Sequence, residues 1–326
     1  VESVSELTHP MILIPGDAFI NQITVTDIGR LQSSFRSEGT RKVLESMQEV
    51  RELKAEGGVI IFFSYECLQF GRVAPNEVQL ESMKASIREV SRMHNTTVDK
   101  VYAWLDCFSI PQSNRFLQKA AINAIYGFAS APSVFVIVCP QSTHANTLRV
   151  ANEESVKERF WCRLEQVAFL CRQGKNQMFL HRGTKLEPLP ADWPDSVCCL
   201  YDSVTTCCRL QHATIRDCDR EKAVLPLLAL YHDVYKRSLD KDSPKSQHDT
   251  EVWELIQRHK AAMFPTSFVY KYKGEEQHRT LFGQMTERIR LMLQKGSGEE
   301  STNISVSTCA SFGSLQAPLL DAELPC

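Results

Sequence analysis

Two acids stand where buried segments turn polar. Asp106 ends the apolar run of Lys100 to Gln112 (KVYAWLDCFSIPQ), and Glu165 sits in the helical segment Arg159 to Arg172 (RFWCRLEQVAFLCR). Ser64 and Tyr65 follow the apolar run Val59 to Phe63, and Ser109 and Gln112 follow Asp106. Polar side chains that come directly after buried strands are what a crevice at the carboxyl ends of a parallel sheet requires. An acid at position 106 can hold a sugar hydroxyl or orient the second acid, and equally well cap the turn after its strand. Glu165 falls about 40° past Trp161 on a helical wheel, at the border of the apolar face, where a carboxylate can be an exposed helix residue or part of a site. Hydrogen bonding within their own loops is the plain reading of Ser64, Tyr65, Ser109 and Gln112 taken singly; together they form a candidate site.

The elements that must position these groups alternate. Val43, Leu44, Met47, Val50 and Leu53 recur at helical spacing between Thr40 and Glu56, and Gly57-Gly58 stops the pattern. Val59 to Phe63 is a continuous apolar run, as expected of a strand covered on both faces. A helix follows through Leu80, Met83, Ile87, Val90 and Met93, then a strand from Val101 to Leu105. A helix over Arg115 to Ala129 leads to a third strand, Ser133 to Val138, and Met178 to Leu180 makes a fourth after the helix bearing Glu165. Strict alternation predicts an α/β fold, a parallel sheet with helices on both faces. Residues 1–38 read as loops with one short strand. Val197 to Leu200 reads as a further strand, and helices over Arg220 to Lys236, Glu251 to Met263 and His278 to Leu293 predict a C-terminal helical extension. The expected organisation is an extension at 1–57, an α/β domain at 58–200, the helical part at 201–295 and a disordered tail at 296–326.

The chain has 326 residues, net charge −2 and scattered Lys and Arg, which gives no reason to expect a nucleic-acid partner. No apolar run approaches the roughly 18 to 20 residues that a membrane span needs. Several of the 12 cysteines fall inside predicted core elements, among them Cys139, Cys162 and Cys171, so reduced thiols and a cytoplasmic location are expected. Cys207-Cys208, His212 and Cys218 invite a zinc reading, but no C-x-x-C spacing occurs and Cys198-Cys199 is equally unpatterned. Buried thiols and no metal are the expectation.

Tyr102-Ala103-Trp104-Leu105-Asp106, then Ser109-Ile110-Pro111-Gln112, then Ile125-Tyr126 and Ala129, closely resembles the W-I-D-x-x-C-I-x-Q and I-Y-x-x-A pattern of heterokaryon-incompatibility (HET) domains. Phe62-Phe63-Ser64-Tyr65 and Phe160-Trp161-Cys162-Arg163-Leu164-Glu165 resemble the F-x-S-Y strand and W-C-x-x-E helix of Toll/interleukin receptor (TIR) domains. The resemblance covers about residues 58 to 182. It implies a flavodoxin-like, TIR-like fold with a five-stranded parallel sheet and, as in some TIR domains, hydrolysis of NAD between nicotinamide and ribose. By position Glu165 then matches the catalytic glutamate, with Ser64, Tyr65, Asp106, Ser109, Gln112 and Trp161 as substrate-binding candidates, NAD as substrate and no further cofactor. The runner-up is a non-catalytic signalling module of the same fold that self-associates as a homo-oligomer. A third reading is an enzyme resembling nucleoside deoxyribosyltransferases, which also place a Glu on such a sheet.

The departures from the TIR pattern frame one structural question. Glu66-Cys67-Leu68 replaces the arginine-rich loop after the first strand, and an insertion before Trp161 contains Ser155-Val156-Lys157-Glu158, which reads as a capping box. A helix begun at Ser155 would carry Glu165 roughly 15 Å along its axis and away from the crevice. One begun near Phe160 puts Glu165 in the second turn, facing it.

Overall fold

The structure, a computed structural model, describes residues 6–25, 41–212 and 218–296. In chain order its main elements are β1 (Glu6–Pro15), α1 (Gly16–Gln22), β2 (Lys42–Ser46), α2 (Met47–Ala55), β3 (Val59–Tyr65), α3 (Glu77–Met93), β4 (Val101–Trp104), α4 (Arg115–Asn123), α5 (Ile125–Ser130), β5 (Val134–Val138), α6 (Glu153–Lys157), α7 (Phe160–Gln173), β6 (Met178–His181), β7 (Leu186–Pro188), α8 (Val224–Leu239), α9 (Ser246–Arg258), β8 (Ser267–Tyr272), β9 (Glu275–Thr280) and α10 (Met285–Gly296). The expected tail at 296–326 lies, but for its first residue, outside the described residues.

A seven-stranded sheet runs in the order β2-β1-β4-β3-β5-β6-β7. Its centre, β4-β3-β5-β6, is parallel, whereas β1, β2 and β7 pair antiparallel at the edges. The fold is therefore mixed α/β, with a mostly parallel sheet flanked by helices and compatible with a flavodoxin-like arrangement. The all-parallel, five-stranded sheet that the resemblance implies is not what forms.

Strand β3 is buried along its whole length, and its alternation sorts the core into two layers. Val59, Ile61, Phe63 and Tyr65 pack with α1 and α3. Ile60 and Phe62 pack on the opposite face with α2, α5, α7 and the C-terminal helices. There the Phe62 ring stacks on Trp104 of β4 at 4.2 Å and on Phe135 of β5 at 5.1 Å, its partners in the strand register.

Several expectations need correction. Residues 6–25, the described part of the stretch 1–38, are not mostly loop: β1 is ten residues long, with Met11, Leu13 and Ile14 buried, and α1 follows it, while 1–5 and 26–38 lie outside the described residues. Pro10 and Pro15 disguise the strand, which pairs antiparallel with β2 through Met11, Ile12 and Leu13 and with β4 at Ile14 and Pro15; Pro10 falls where the β2 register shifts. The predicted helix at 40–56 divides, because Ser46 in an extended conformation accepts a hydrogen bond from Glu49 N–H and so caps α2. Val43 and Leu44 belong instead to β2. The helix expected over 115–129 is two, α4 and α5. Val197 lies in a helical turn, Trp193–Cys198, not a strand. His278 belongs to β9, since Lys273 and Gly274, with φ of 51° and 85°, close a two-residue hairpin between Tyr272 and Glu275.

The segments after residue 200 share the sheet's apolar core: Tyr231, Val234, Phe264 and Phe282 belong to one cluster with Ile60 and Phe62. A polar network fastens α8 to α5 and α7. The Tyr126 hydroxyl donates to the Asp233 carboxylate at 2.6 Å, Arg237 donates to Asp233 at 3.0 Å and to the Cys171 carbonyl at 2.8 Å, and Arg237 also pairs with Asp249. Removing one partner of such a buried pair strands the others in a low-dielectric interior. Asp233→Ala should thus destabilise the fold by about 3 to 5 kcal/mol, and Tyr126→Phe by about 1 kcal/mol, in urea unfolding followed by circular dichroism. A smaller loss for Asp233→Ala than for Tyr126→Phe would contradict this account.

Candidate functional site

If the central strands are renumbered by their order in the chain, they run 2-1-3-4, and connections leave in opposite directions from the ends of β3 and β5. That is the switch point at which α/β sheets open a crevice. Ser64 and Tyr65, the last residues of β3, pair there with Ile137 and Val138. Alternation turns Ser64 toward the α7 layer and Tyr65 toward the other.

The helix carrying Glu165 starts at Phe160. Asn152 caps α6 and, with Ser155, completes a capping box one turn earlier than Ser155 to Glu158 suggests. The helical path then breaks at Arg159, whose ψ of 125° is extended. The break is held by backbone pairing with Val204: Val204 N–H donates to Glu158 at 2.8 Å and Phe160 N–H to Val204 at 3.1 Å. Restarting the helix there places Glu165 in its second turn, where Ser64 Oγ donates to the Glu165 carboxylate at 2.6 Å.

A cavity of about 390 Å³ opens above these groups, and Tyr65, Asp106, Gln112, Trp161 and Glu165 line it. Ser64 lies behind Glu165, 1 % exposed. Ser109 is not part of the group: it is fully buried and donates to the Ile12 carbonyl at 2.7 Å, so it holds β1 rather than a ligand. The Gln112 amide donates to the Ile110 carbonyl and its oxygen accepts from Gln118, which fixes the loop at the cavity's edge. The Tyr65 hydroxyl donates to Asp106 at 2.8 Å, and the Cys107 N–H donates to the same oxygen at 2.6 Å.

Residues distant in sequence complete the wall. Arg159, Thr206, Cys207, His212, Asp219 and Lys222 all face the cavity. None belongs to a motif at the strand ends, and only the fold brings 206–212 and 218–222 over the sheet. Glu66, 3 % exposed, anchors that segment by facing Arg209 at 3.4 Å and Arg159 at 4.0 Å.

The electrostatics of the two acids follow from their surroundings. Burial pushes the Glu165 carboxyl up to about 8; the Ser64 hydrogen bond pulls it down and the nearby Asp106 pushes it further up. Asp106 is raised by burial too, against the downward pull of Tyr65 and Cys107. Among the described residues no cation is paired with either acid. The site thus holds a largely neutral carboxyl that a positively charged guest would ionise.

In comparisons with known proteins, no family model, curated protein or solved structure matches the chain. Among the described residues no helix is long and apolar enough to cross a membrane.

The raised Glu165 value couples stability to pH. Unfolded, this carboxyl ionises near its ordinary 4.5; folded, it stays protonated until about 8. Between those values the unfolded chain sheds a proton that the folded chain keeps, so this residue's contribution is full below pH 4.5 and is lost progressively up to about pH 8. Glu165→Gln removes that slope. Its unfolding free energy relative to the parent should rise steadily from pH 5 to pH 8 in denaturant titrations, and a pH-independent difference would disprove the assignment.

Proposed function

We propose that this protein is a nucleosidase that cleaves the bond between nicotinamide and ribose in NAD or a related nucleotide. The observation that carries the reading is the Ser64–Glu165 hydrogen bond at the mouth of β3, because it sets a carboxyl at the floor of the cavity. The resemblance of the Phe62–Tyr65 and Trp161–Glu165 stretches to TIR domains supports the same substrate, with no cofactor consumed.

The chemistry needs little machinery. Nicotinamide is cationic while attached and leaves as a neutral ring, taking the electron pair of the broken bond, so no general acid is required. Positive charge develops on the ribose, an oxocarbenium-like state, and the Glu165 carboxylate stabilises it. Water then attacks C1′ and gives up its proton to the carboxylate or to solvent. Asp106, held by Tyr65, faces the same cavity and can accept a ribose hydroxyl. Trp161 and Tyr65 offer aromatic surface to the pyridine ring. Arg159 and Lys222 are each countered by an acid, Glu66 and Asp219 respectively. Aromatic contact and the floor acids, rather than net positive charge, would therefore dominate recognition.

The second reading, a module acting by homotypic association, is favoured by Phe116 and Leu117, which are 79 % and 42 % exposed on α4 beside the cavity's rim.

Incubation with NAD, with free nicotinamide quantified by liquid chromatography, tests the proposal. The parent protein should release nicotinamide, and Glu165→Gln should lower kcat/KM by about a hundredfold or more, the usual scale for losing a group that faces transition-state charge. No release at high protein concentration would leave the association reading in possession. The pH profile adds a sign. The charged carboxylate is the active form, so kcat/KM should climb about tenfold per pH unit below the Glu165 value and level off above about 8. A profile that is flat or falls with pH would show that this acid is not acting as a carboxylate.

A further inference from the structure

We propose that Cys207, Cys208, His212 and Cys218 bind a zinc ion in a closed Cys3His site that fixes the wall of the cavity opposite the sheet. The ligand atoms of all four lie within 4.8 Å of one another. Cys208 Sγ is 3.6 Å from Cys218 Sγ and 3.4 Å from His212 Nε2, and Cys207 Sγ is 3.9 Å from Cys218 Sγ. Around a tetrahedral zinc with bonds of about 2.3 Å to sulfur and 2.0 to 2.1 Å to nitrogen, sulfurs stand about 3.8 Å apart and a sulfur and a nitrogen about 3.6 Å apart. Three of the six edges already have the lengths of that tetrahedron, and the other three are no longer than 4.8 Å. The same sulfur separations are far beyond the roughly 2 Å of a disulfide, and three thiols cannot all pair among themselves.

Local structure explains how ligands without C-x-x-C spacing converge. Thr205 caps the helical turn Thr206–Arg209, accepting from Cys208 N–H at 3.3 Å. Gln211 and His212 then adopt left-handed φ of 51° and 53°, an uncommon pair of conformations for residues other than glycine, which folds the imidazole back over the turn. Backbone bonds from His212 N–H to Cys207 and from Gln211 N–H to Cys208 hold it there. Strained backbone confined to one turn is an observation from which function can be argued, and metal ligation is such a function.

The surroundings suit thiolates. The backbone N–H of Asp219 donates to Cys207 Sγ at 3.4 Å, and the Thr205 hydroxyl lies 3.1 Å from the same sulfur. Donors of this kind stabilise and orient a metal-bound sulfur. Cys207, Cys218 and His212 are 5 %, 0 % and 2 % exposed, and the His212 ring lies against Tyr270 of β8, with centroids 4.5 Å apart. With four protein ligands no coordination position remains for a substrate, so the ion would be structural. It would join the turn at Thr206–Arg209 to Asp219, both of which face the cavity. The inference is independent of the proposed activity.

The full chain, produced in zinc-supplemented medium and purified with reductant, should contain one zinc per chain by inductively coupled plasma mass spectrometry. Exchanged into Co2+, it should show the intense visible bands of tetrahedral cobalt and a near-ultraviolet thiolate charge-transfer band. Cys208→Ser should weaken the charge-transfer band and shift the visible bands, while Cys199→Ser, outside the cluster, should change neither. The direct spectrum of the parent decides the matter even if Cys208→Ser fails to fold. Zinc well below stoichiometric amounts with only the weak absorption of octahedral cobalt, a spectrum unmoved by Cys208→Ser in folded protein, or a Cys208–Cys218 disulfide in peptide mass mapping of the reduced preparation would each overturn the proposal.

Discussion

The stack of three aromatic rings across β4, β3 and β5 is the constraint on which the rest rests. A single-residue slip of a strand would turn every side chain to the opposite layer, and Phe62, fitted between Trp104 and Phe135, forbids that slip. Truncating such a ring costs about 3 to 5 kcal/mol, a large fraction of the stability of an ordinary domain. Once Phe62 is placed, Ser64 must leave the sheet on the same side, which is the side that α7 covers. The hydrogen bond beneath the cavity is therefore a consequence of core packing two residues earlier.

The same end of β3 also separates two kinds of acid. Glu66 is buried and faced by two arginines, which fixes it as a charged strut between the sheet and the segment at 206–209. Among the described residues Glu165 has a hydroxyl donor but no cation. Buried charge is tolerated where it is paired, so the first acid is consumed by architecture and the second remains available to chemistry. The Glu66-Cys67-Leu68 departure from the TIR pattern acquires a physical role here, because an arginine at position 66 would repel Arg159 and Arg209.

Much of this was legible from residue patterns. The apolar run at 59–63, the acid at 106 and the helical segment at 159–172 placed the parallel centre of the sheet and five of the groups that line the cavity. What was illegible depended on contacts with no local signature. Strand β1 carries two prolines and becomes a strand only between β2 and β4; Val43 and Leu44 satisfy a helical period as readily as a strand, and a serine cap decides between them. Ser109 looked like a site residue because it follows Asp106, but the backbone of Ile12 claims its hydroxyl. Strand β8, along which Phe268, Tyr270 and Tyr272 alternate, was not expected in a part read as helical, and helical spacing farther on concealed its partner. For the cysteines at 207, 208 and 218, spacing was a poor guide because a left-handed turn, not a knuckle, brings them to His212.

The uncompensated acid beneath the cavity has a further consequence. An empty hollow with an ionised floor would attract any small cation in the medium; a floor that retains its proton attracts none in particular. When a guest with a fixed positive charge enters, its field expels that proton, and occupancy becomes an exchange of one charge for another. Binding heats would then vary with the ionisation enthalpy of the buffer, and neutral analogues of the same shape would bind without the exchange. The hollow would tell guests apart by charge before any bond is broken.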